Sequence, residues 1–436
     1  MSIKPRLGFF DLTMIIVSMV IGVGIFKTPA IVAEKAGSPL LFFLAWAIGG
    51  IISLFGALTF AEIGSRMPVA GGFYHVFSKT YHPAFAFMLN WSQVVINAGS
   101  AVGVALVGAE YIHPIMPRLL QFDAKVTALL SISILFVFNF LGIKTGSRVQ
   151  NILSMIKIGM ILVFCFGIFM HSVPSVPGND EAVNPTLNPL MALGIGLISV
   201  FYTYGGYQQT INFGADVALP EKNLPRSIIT GITIVIALYL CLNLAYVNVL
   251  GFENLQGKGL IASELAGKLF GSAGFIVTSL AVYISVMGFL NTSFLSNPRV
   301  YFAMAEDKVL PPHFQKINTT TQVQEFGLTF YFALMLLSFF LFKSFEKILN
   351  YVMFIDSLGM IFAASTIFML RRKMSRETYT GFKVPWFPLI PVIFICVLGA
   401  VCVNVFLSDY FAALMGVTIF LAGYPLFKLF RYFYRR

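Results

Sequence analysis

Charge is what this chain has least of. Asp, Glu, Lys and Arg supply 11% of its 436 residues against 58% for hydrophobic types, and its mean hydropathy is +0.85. A soluble domain carries roughly a quarter charged residues, so water is not the solvent for most of this surface. Acids are the scarcer sign, 18 against 29 Lys and Arg. Only four cysteines occur, Cys165, Cys241, Cys396 and Cys402, all inside apolar stretches. Neither the CxxC spacing of a metal site nor a loop disulfide follows, and they say nothing of redox compartment. The five histidines fall in loops or at expected helix ends without ligand spacing, so no metal and no cofactor is expected. There is no GxxxxGK[ST] loop, GxSxG turn or HExxH pair. That argues against an ATP-driven pump and the common embedded hydrolases.

What is present is apolar length. A bilayer span needs about 20 apolar residues as helix, and about twelve such stretches fill the chain, near 9–33, 40–61, 84–110, 126–142, 150–171, 190–214, 227–250, 272–297, 327–342, 348–370, 385–407 and 410–430. They are too long for barrel strands of about ten residues. The expected fold is an all-α integral membrane protein. The first stretch lacks a small-residue cleavage site after a short core and is expected to be retained, with no soluble domain before or after the bundle.

The net charge of +11 raises nucleic acid as a partner, but its distribution argues against one. With the N-terminus inside, most Lys and Arg fall in inner loops and termini, from Arg66, Lys79 and Arg226 to Arg371, Arg372, Lys373 and the tail Lys428 to Arg436. The positive-inside rule then predicts both termini in the cytoplasm of a cell membrane. The basic tail is expected to add contact with anionic lipid.

Two spans are interrupted by glycine in their middles: the first at Ile21-Gly22-Val23-Gly24-Ile25, the sixth at Tyr202-Thr203-Tyr204-Gly205-Gly206-Tyr207. The breaks lie five spans apart, an odd offset that lets the second half enter the membrane inverted. A five-plus-five inverted repeat is expected in one transmembrane domain, 9–171 and 190–370, with 385–430 as two accessory helices. Unwound backbone at bilayer depth must be buried in protein or line a watered cavity. The breaks should therefore line a binding site; the alternative is close small-residue helix packing.

The half-helix beginning at Gly24 offers free N–H groups and a positive dipole end to a carboxylate. Carbonyls left free near Val20 and Ile21, and around Tyr202 and Gly205, suit an ammonium group. A zwitterionic α-amino acid satisfies both sets. Tyr204 in the second gap is either an aromatic gate or packing in a bend. Lys157 lies mid-span, about 10 Å from an end at 1.5 Å per residue. It either snorkels or stands as a fixed cation where a sodium ion would sit, bridging the fifth span to the broken first and to the eighth; burial would also suit it to proton coupling. Asp356, the one carboxylate placed within a span, lines an outer vestibule or sits near the interface. Lys27 faces that vestibule or pairs with Glu34, a structural role.

These residues together resemble the amino acid-polyamine-organocation (APC) superfamily near its L-type amino acid transporter branch. Gly22-Val23-Gly24-Ile25-Phe26 is similar to its GxGIF break, and Ala61 to Tyr74 to its AELG…P.AGG.Y exit from the second helix. Leu224-Pro225-Arg226 after Asn223 resembles its NIPR signature, Asn297 to Pro311 its SR..YAMARDG.LP loop, and Gly381 to Pro385 its RPFKVP entry. The matches run in order from Gly22 to Pro385. The resemblance implies a LeuT-like fold, a carboxylate held by the N–H groups of Val23 and Gly24, and an amino group held by carbonyls near Val20, Ile21, Tyr202 and Gly205. It also implies that Lys157 is the fifth-helix lysine that replaces sodium, with Tyr239 and Ser285 as its partners. Val23 stands where Ser is common, Ala215-Asp216 where paired acids are, Thr321-Gln322 where Thr-Pro is, and Thr380-Gly381 where Arg-Pro is.

The expected function is sodium-independent secondary transport of amino acids by alternating access, through exchange or proton symport. Neutral substrates are favoured because no carboxylate flanks the breaks; an acidic one stays open, and a polyamine would need acids the site lacks. A channel or an amino-acid receptor without flux is the alternative. The expected partners are the amino acid, membrane lipid and, under symport, protons. No disulfide-linked subunit is expected, since no cysteine falls outside.

Overall fold

The computed structural model describes residues 7–68, 72–116, 123–140, 159–164, 166, 189–212, 214, 217–318, 323–341, 345–373 and 379–435. Lys157 and Cys165, most of the expected fifth span, Ala215-Asp216 and Thr321-Gln322 lie outside the described residues.

The described chain is helical, with a single isolated bridge from Leu7 to Val217. Its helices are α1 (Phe9–Val20), α2 (Gly24–Ala36), α3 (Pro39–Arg66), α4 (Gly72–Thr80), α5 (Pro83–Ile112), α6 (Ala124–Phe140), α7 (Pro189–Tyr204), α8 (Pro220–Leu250), α9 (Phe252–Leu255), α10 (Ile261–Glu306), α11 (Glu325–Leu341), α12 (Phe345–Lys373), α13 (Leu389–Ser408) and α14 (Tyr410–Arg435). Seven are long and apolar enough to cross a membrane, and α1 with α2, bent by 45°, make an eighth such unit. The chain is a multi-pass membrane protein.

Local chemistry sets the ends. Pro39 opens α3 behind Ser38, whose hydroxyl accepts from the Leu41 N–H at 3.4 Å; proline at the first helical position gives up only an N–H that has no helical partner. Pro83 and the His82 side chain do the same for α5. Two boundaries differ from those the sequence suggests. Gly271 at φ 71° breaks α10 into a short segment and a long one, so the eighth span begins after Gly271, at the expected 272, but it continues past Pro298 to Glu306. The second span runs on through Glu62 to Arg66, because these charged residues find partners inside the protein. The short α4 and α9 had no apolar length to announce them.

At the centre, α5 packs against α6, α10, α11, α12 and α14, while α1 and α3 pack on α8 and α2 on α7. Large apolar side chains such as Phe340 and Leu407 point outward, as lipid-facing positions do. This packing stacks the two interrupted helices against each other.

Candidate functional site

The first break is three residues long. Helix α1 closes with the Ile21 N–H on the Val17 carbonyl at 2.9 Å, and α2 starts at Gly24 with Phe26 N–H on the Val23 carbonyl at 3.1 Å. The N–H groups of Val23, Gly24 and Ile25 precede the first helical donor, Phe26 N–H, and point out of the N-terminal end of α2. This is the geometry that binds an anion. Gly22 is partly exposed; Val20, Ile21, Val23 and Gly24 are buried.

The second break follows Tyr204. Gly205 turns with its N–H 3.3 Å from the Tyr202 carbonyl, and Gly206 takes φ 118° with its N–H on the Gln208 side-chain oxygen at 2.8 Å. A short 3-10 turn, Tyr207–Asn212, continues the segment. The two breaks touch. A Cβ on Gly206 would lie 2.7 Å from the Met19 carbonyl oxygen, and one on Gly24 would lie 3.1 Å from the Thr203 hydroxyl. The hydroxyls of Thr28 and Thr203 meet at 2.6 Å.

Not every carbonyl near the breaks is free. Val20 accepts from the Gly22 N–H at 2.7 Å and from the Tyr239 hydroxyl at 2.9 Å, so both its lone pairs are engaged. Ile21, Tyr202 and Gly205 keep carbonyl capacity for an ammonium group. Tyr239 is fully buried, and its hydroxyl also lies 3.4 Å from the Thr203 carbonyl. It therefore bolts α8 to both breaks.

Tyr204 does not project into the gap. Its ring packs 5.8 Å from Trp46 and 5.2 Å from Tyr239, with its hydroxyl donating to the Trp46 carbonyl at 3.3 Å. This is the packing role. Tyr202, partly exposed, is hydrogen-bonded to Ser100 on α5 and stands edge-on to Phe345 of α12 at 5.8 Å. Ser285 is buried on α10, which packs against α2. Its expected partner Lys157 lies outside the described residues.

Below Tyr202 a polar stripe descends α5. Ser100, Asn97 and Gln93 are spaced three and four apart, hence on one face, and each is partly exposed. Asn97 donates to Asn297 of α10 at 2.9 Å, and Gln93 donates to Asp356 of α12 at 3.3 Å. Asp356 thus faces the interior beside this stripe.

Two ionic clusters cap the ends. At one, Lys27 sits 2.5 Å from Glu110 of α5. The expected partner Glu34 instead lies 3.7 Å from Lys35, since seven residues of helix put Glu34 about 10 Å along the axis from Lys27. At the other, Glu62 is wholly buried and accepts from Arg66 at 2.8 Å, from Arg371 at 2.9 and 2.6 Å, and from the Val384 N–H at 2.7 Å. Asp356 is therefore not the one carboxylate within a span. Tyr379 covers Arg66 with its ring centroid 3.9 Å from the guanidinium carbon, and its hydroxyl pairs with Ser65 and donates to the Phe382 carbonyl at 3.0 Å. Burial pushes that hydroxyl above its ordinary pKa, with the Ser65 bond and the Arg66 charge pulling the other way.

Thr28, Thr203, Trp46 and the Glu62 cluster were not singled out from sequence. Glu62 and Arg66, four apart in an apolar run, were the available signal for the last.

The amino acid permease family model matches residues 7–423. The chain is 28% identical over 435 residues to the serine/threonine exchanger SteT of Bacillus subtilis, covering 98% of this chain and 97% of that one. It is 26% identical to the human cystine/glutamate transporter, with 98% and 86% covered. It is 27% identical to the mouse large neutral amino acids transporter small subunit 2, with 98% and 81% covered.

Proposed function

The chain belongs to the amino acid permease family of the APC superfamily, and from that membership and the paired breaks we propose that it is a sodium-independent carrier of neutral amino acids working by alternating access. Amino acid transport is the family's activity; the substrate class, the coupling and the residues are our reading. The substrate carboxylate is held by the N–H groups of Val23 and Gly24 at the positive end of α2, with Gly22 leaving the approach open. The ammonium is held by the carbonyls of Ile21, Tyr202 and Gly205. Val20 serves through Tyr239, as the anchor of the first break. Tyr202 closes over the bound molecule.

The observation that carries this reading is the contact of the two breaks, with Gly206 against Met19 and Gly24 against Thr203. One small zwitterion can reach donors from the first and acceptors from both. The described part of the site offers no carboxylate beside the breaks for a cationic side chain, and similarity to carriers named for serine, threonine and large neutral amino acids agrees. Lys157 takes the place of a sodium ion, with Tyr239 and Ser285 nearby. The division into inverted repeats 9–171 and 190–370 with accessory helices 385–430 gives each repeat one discontinuous opening helix. Both termini lie in the cytoplasm and the protein resides in the plasma membrane, as the basic residues at the Arg66 and Arg371 end indicate. It acts without a disulfide-linked subunit.

The test is uptake of labelled serine, threonine, leucine and glutamate into proteoliposomes, either loaded with unlabelled amino acid or empty, with sodium or choline outside. Saturable uptake of the neutral members, equal in the two salts, is expected. Uptake that requires sodium contradicts the role given to Lys157.

A further inference from the structure

Asp356 is left over from the substrate site, and its surroundings are unusual. It sits 11 residues into α12, about 16 Å from the start of that helix at 1.5 Å per residue, deep in a span. Among the described residues its hydrogen bond is to a neutral amide, Gln93 Nε2 on Oδ1 at 3.3 Å, and no ion pair reaches it. Nor, among the described residues, do the neighbouring elements offer a cation at its level. Helices α7 and α13, the Tyr207–Asn212 turn, α5 before Glu110, α3 before Glu62 and α14 before Lys428 contain no charged residue. The charges those elements do carry lie elsewhere: Glu62, paired with Arg66, meets α12 at Arg371, and α4 meets the end of α12 where the Lys79 carbonyl accepts from Lys373. His75, also on α4, belongs to the segment that meets α12 at Phe362 and Ser365 through Tyr81. Among the described residues, Tyr207 is the titratable group with which Asp356 interacts electrostatically.

An uncompensated carboxylate at this depth is expensive, and a residue kept in such a position marks an ion or proton path. Asp356 is partly exposed, and it faces the α5 stripe of Gln93, Asn97 and Ser100, which leads up to Tyr202 and the second break.

We propose that Asp356 is the proton-binding site that couples amino acid uptake to a proton gradient. This rests on the symport form of the carrier reading. In one orientation the carboxylate takes a proton from hydronium, forming an O–H bond and leaving water. Neutral, it crosses the occluded state without an unpaired charge while Gln93 keeps its bond to Oδ1. In the opposite orientation the proton returns to water. One proton moves per cycle, and no other reactant is needed. Tyr207 continues directly from the second break and interacts electrostatically with Asp356, so a change in the break on substrate binding alters the field at the carboxylate.

The experiment uses the full chain in proteoliposomes with a trapped pH dye, reading labelled serine uptake and lumen acidification. With an inward proton gradient and an empty lumen, the native chain is expected to accumulate serine and acidify the lumen. Asp356→Asn, which keeps the shape and a neutral group, is expected to lower gradient-driven accumulation at least tenfold while serine exchange at equal pH stays within about twofold. Asp356→Glu is expected to restore part of the coupling. Undiminished gradient-driven uptake by Asp356→Asn overturns the proposal. So does native exchange without acidification, which leaves the carrier reading standing. Loss of exchange in Asp356→Asn with serine binding intact also overturns it, as does selective loss of lysine or arginine uptake, which would make the carboxylate a reader of substrate side chains. If the Asn variant is not recovered folded, Asp356→Glu decides: an acid-shifted or alkaline-shifted pH profile of uptake supports coupling at this carboxylate, and an unchanged profile overturns it. No flux of any amino acid by the native chain would instead remove the carrier reading itself.

Discussion

The Tyr239 hydroxyl lies 2.9 Å from the Val20 carbonyl and 3.4 Å from that of Thr203, so one buried side chain from α8 holds both interrupted helices. Its ring packs edge-on to Trp46 at 6.1 Å, which fixes the hydroxyl without help from the breaks.

Tyr239→Phe is expected to keep the fold, because the ring contacts survive. It removes one net hydrogen bond, about 0.5–1.5 kcal/mol, and loosens the first break. Transport kinetics should show a several-fold fall in maximal rate with near-native thermal stability. A loss of folded protein would mean that the hydroxyl is structural above all.

Gly206 tests the contact between the breaks. At φ 118° any side chain is strained, and a Cβ there would press on the Met19 carbonyl oxygen. Gly206→Ala is expected to cost roughly 1–3 kcal/mol through backbone strain alone and to abolish transport. Gly22→Ala, whose Cβ would meet nothing closer than 3.9 Å, should leave the melting temperature in detergent nearly unchanged. Equal melting shifts for the two would contradict the packing described.

The Glu62 cluster should behave as a unit. Removing the carboxylate leaves Arg66 and Arg371 facing each other in a buried site, so Glu62→Ala is expected to cost roughly 3–5 kcal/mol. Arg371→Lys keeps the charge but cannot present two parallel donors to the carboxylate oxygens, and should lower the thermal midpoint by less than Glu62→Ala. A midpoint unaffected by either change would show that the cluster does not tie α3 to α12.

Both breaks were legible in the sequence because glycine pairs in the middle of an apolar run have few structural meanings. The same logic places the N–H donors at Gly24. Side-chain pairings were not legible. Thr28 meets Thr203 across 175 residues and Glu62 meets Arg371 across 309, and which helix faces meet is decided by packing that no local pattern encodes. Lys27 shows the same limit: Glu34 is nearer in sequence, but Glu110 on α5 is the residue the fold brings within reach. The Val20 carbonyl, expected from sequence as an ammonium ligand, already accepts from the Gly22 N–H and the Tyr239 hydroxyl, and the second of these comes from a helix that no local pattern brings near. For Tyr204 the sequence left gate and packing both open, and the turn at Gly205 directs it into the aromatic cluster with Trp46 and Tyr239 while Tyr202 stands toward α5.

The central claim is that one molecule uses both breaks, its carboxylate at Val23 and Gly24 and its ammonium at the carbonyls opposite. The most direct measurement is competition against labelled serine uptake by serine, its N-acetyl derivative and its methyl ester. Only serine should compete well, each blocked form being weaker by at least tenfold, since a charge-assisted hydrogen bond is worth about 1.5–3 kcal/mol and 1.4 kcal/mol is a factor of ten. Equal competition by either blocked form would contradict the account, because the corresponding end of the substrate would then not be held by the breaks.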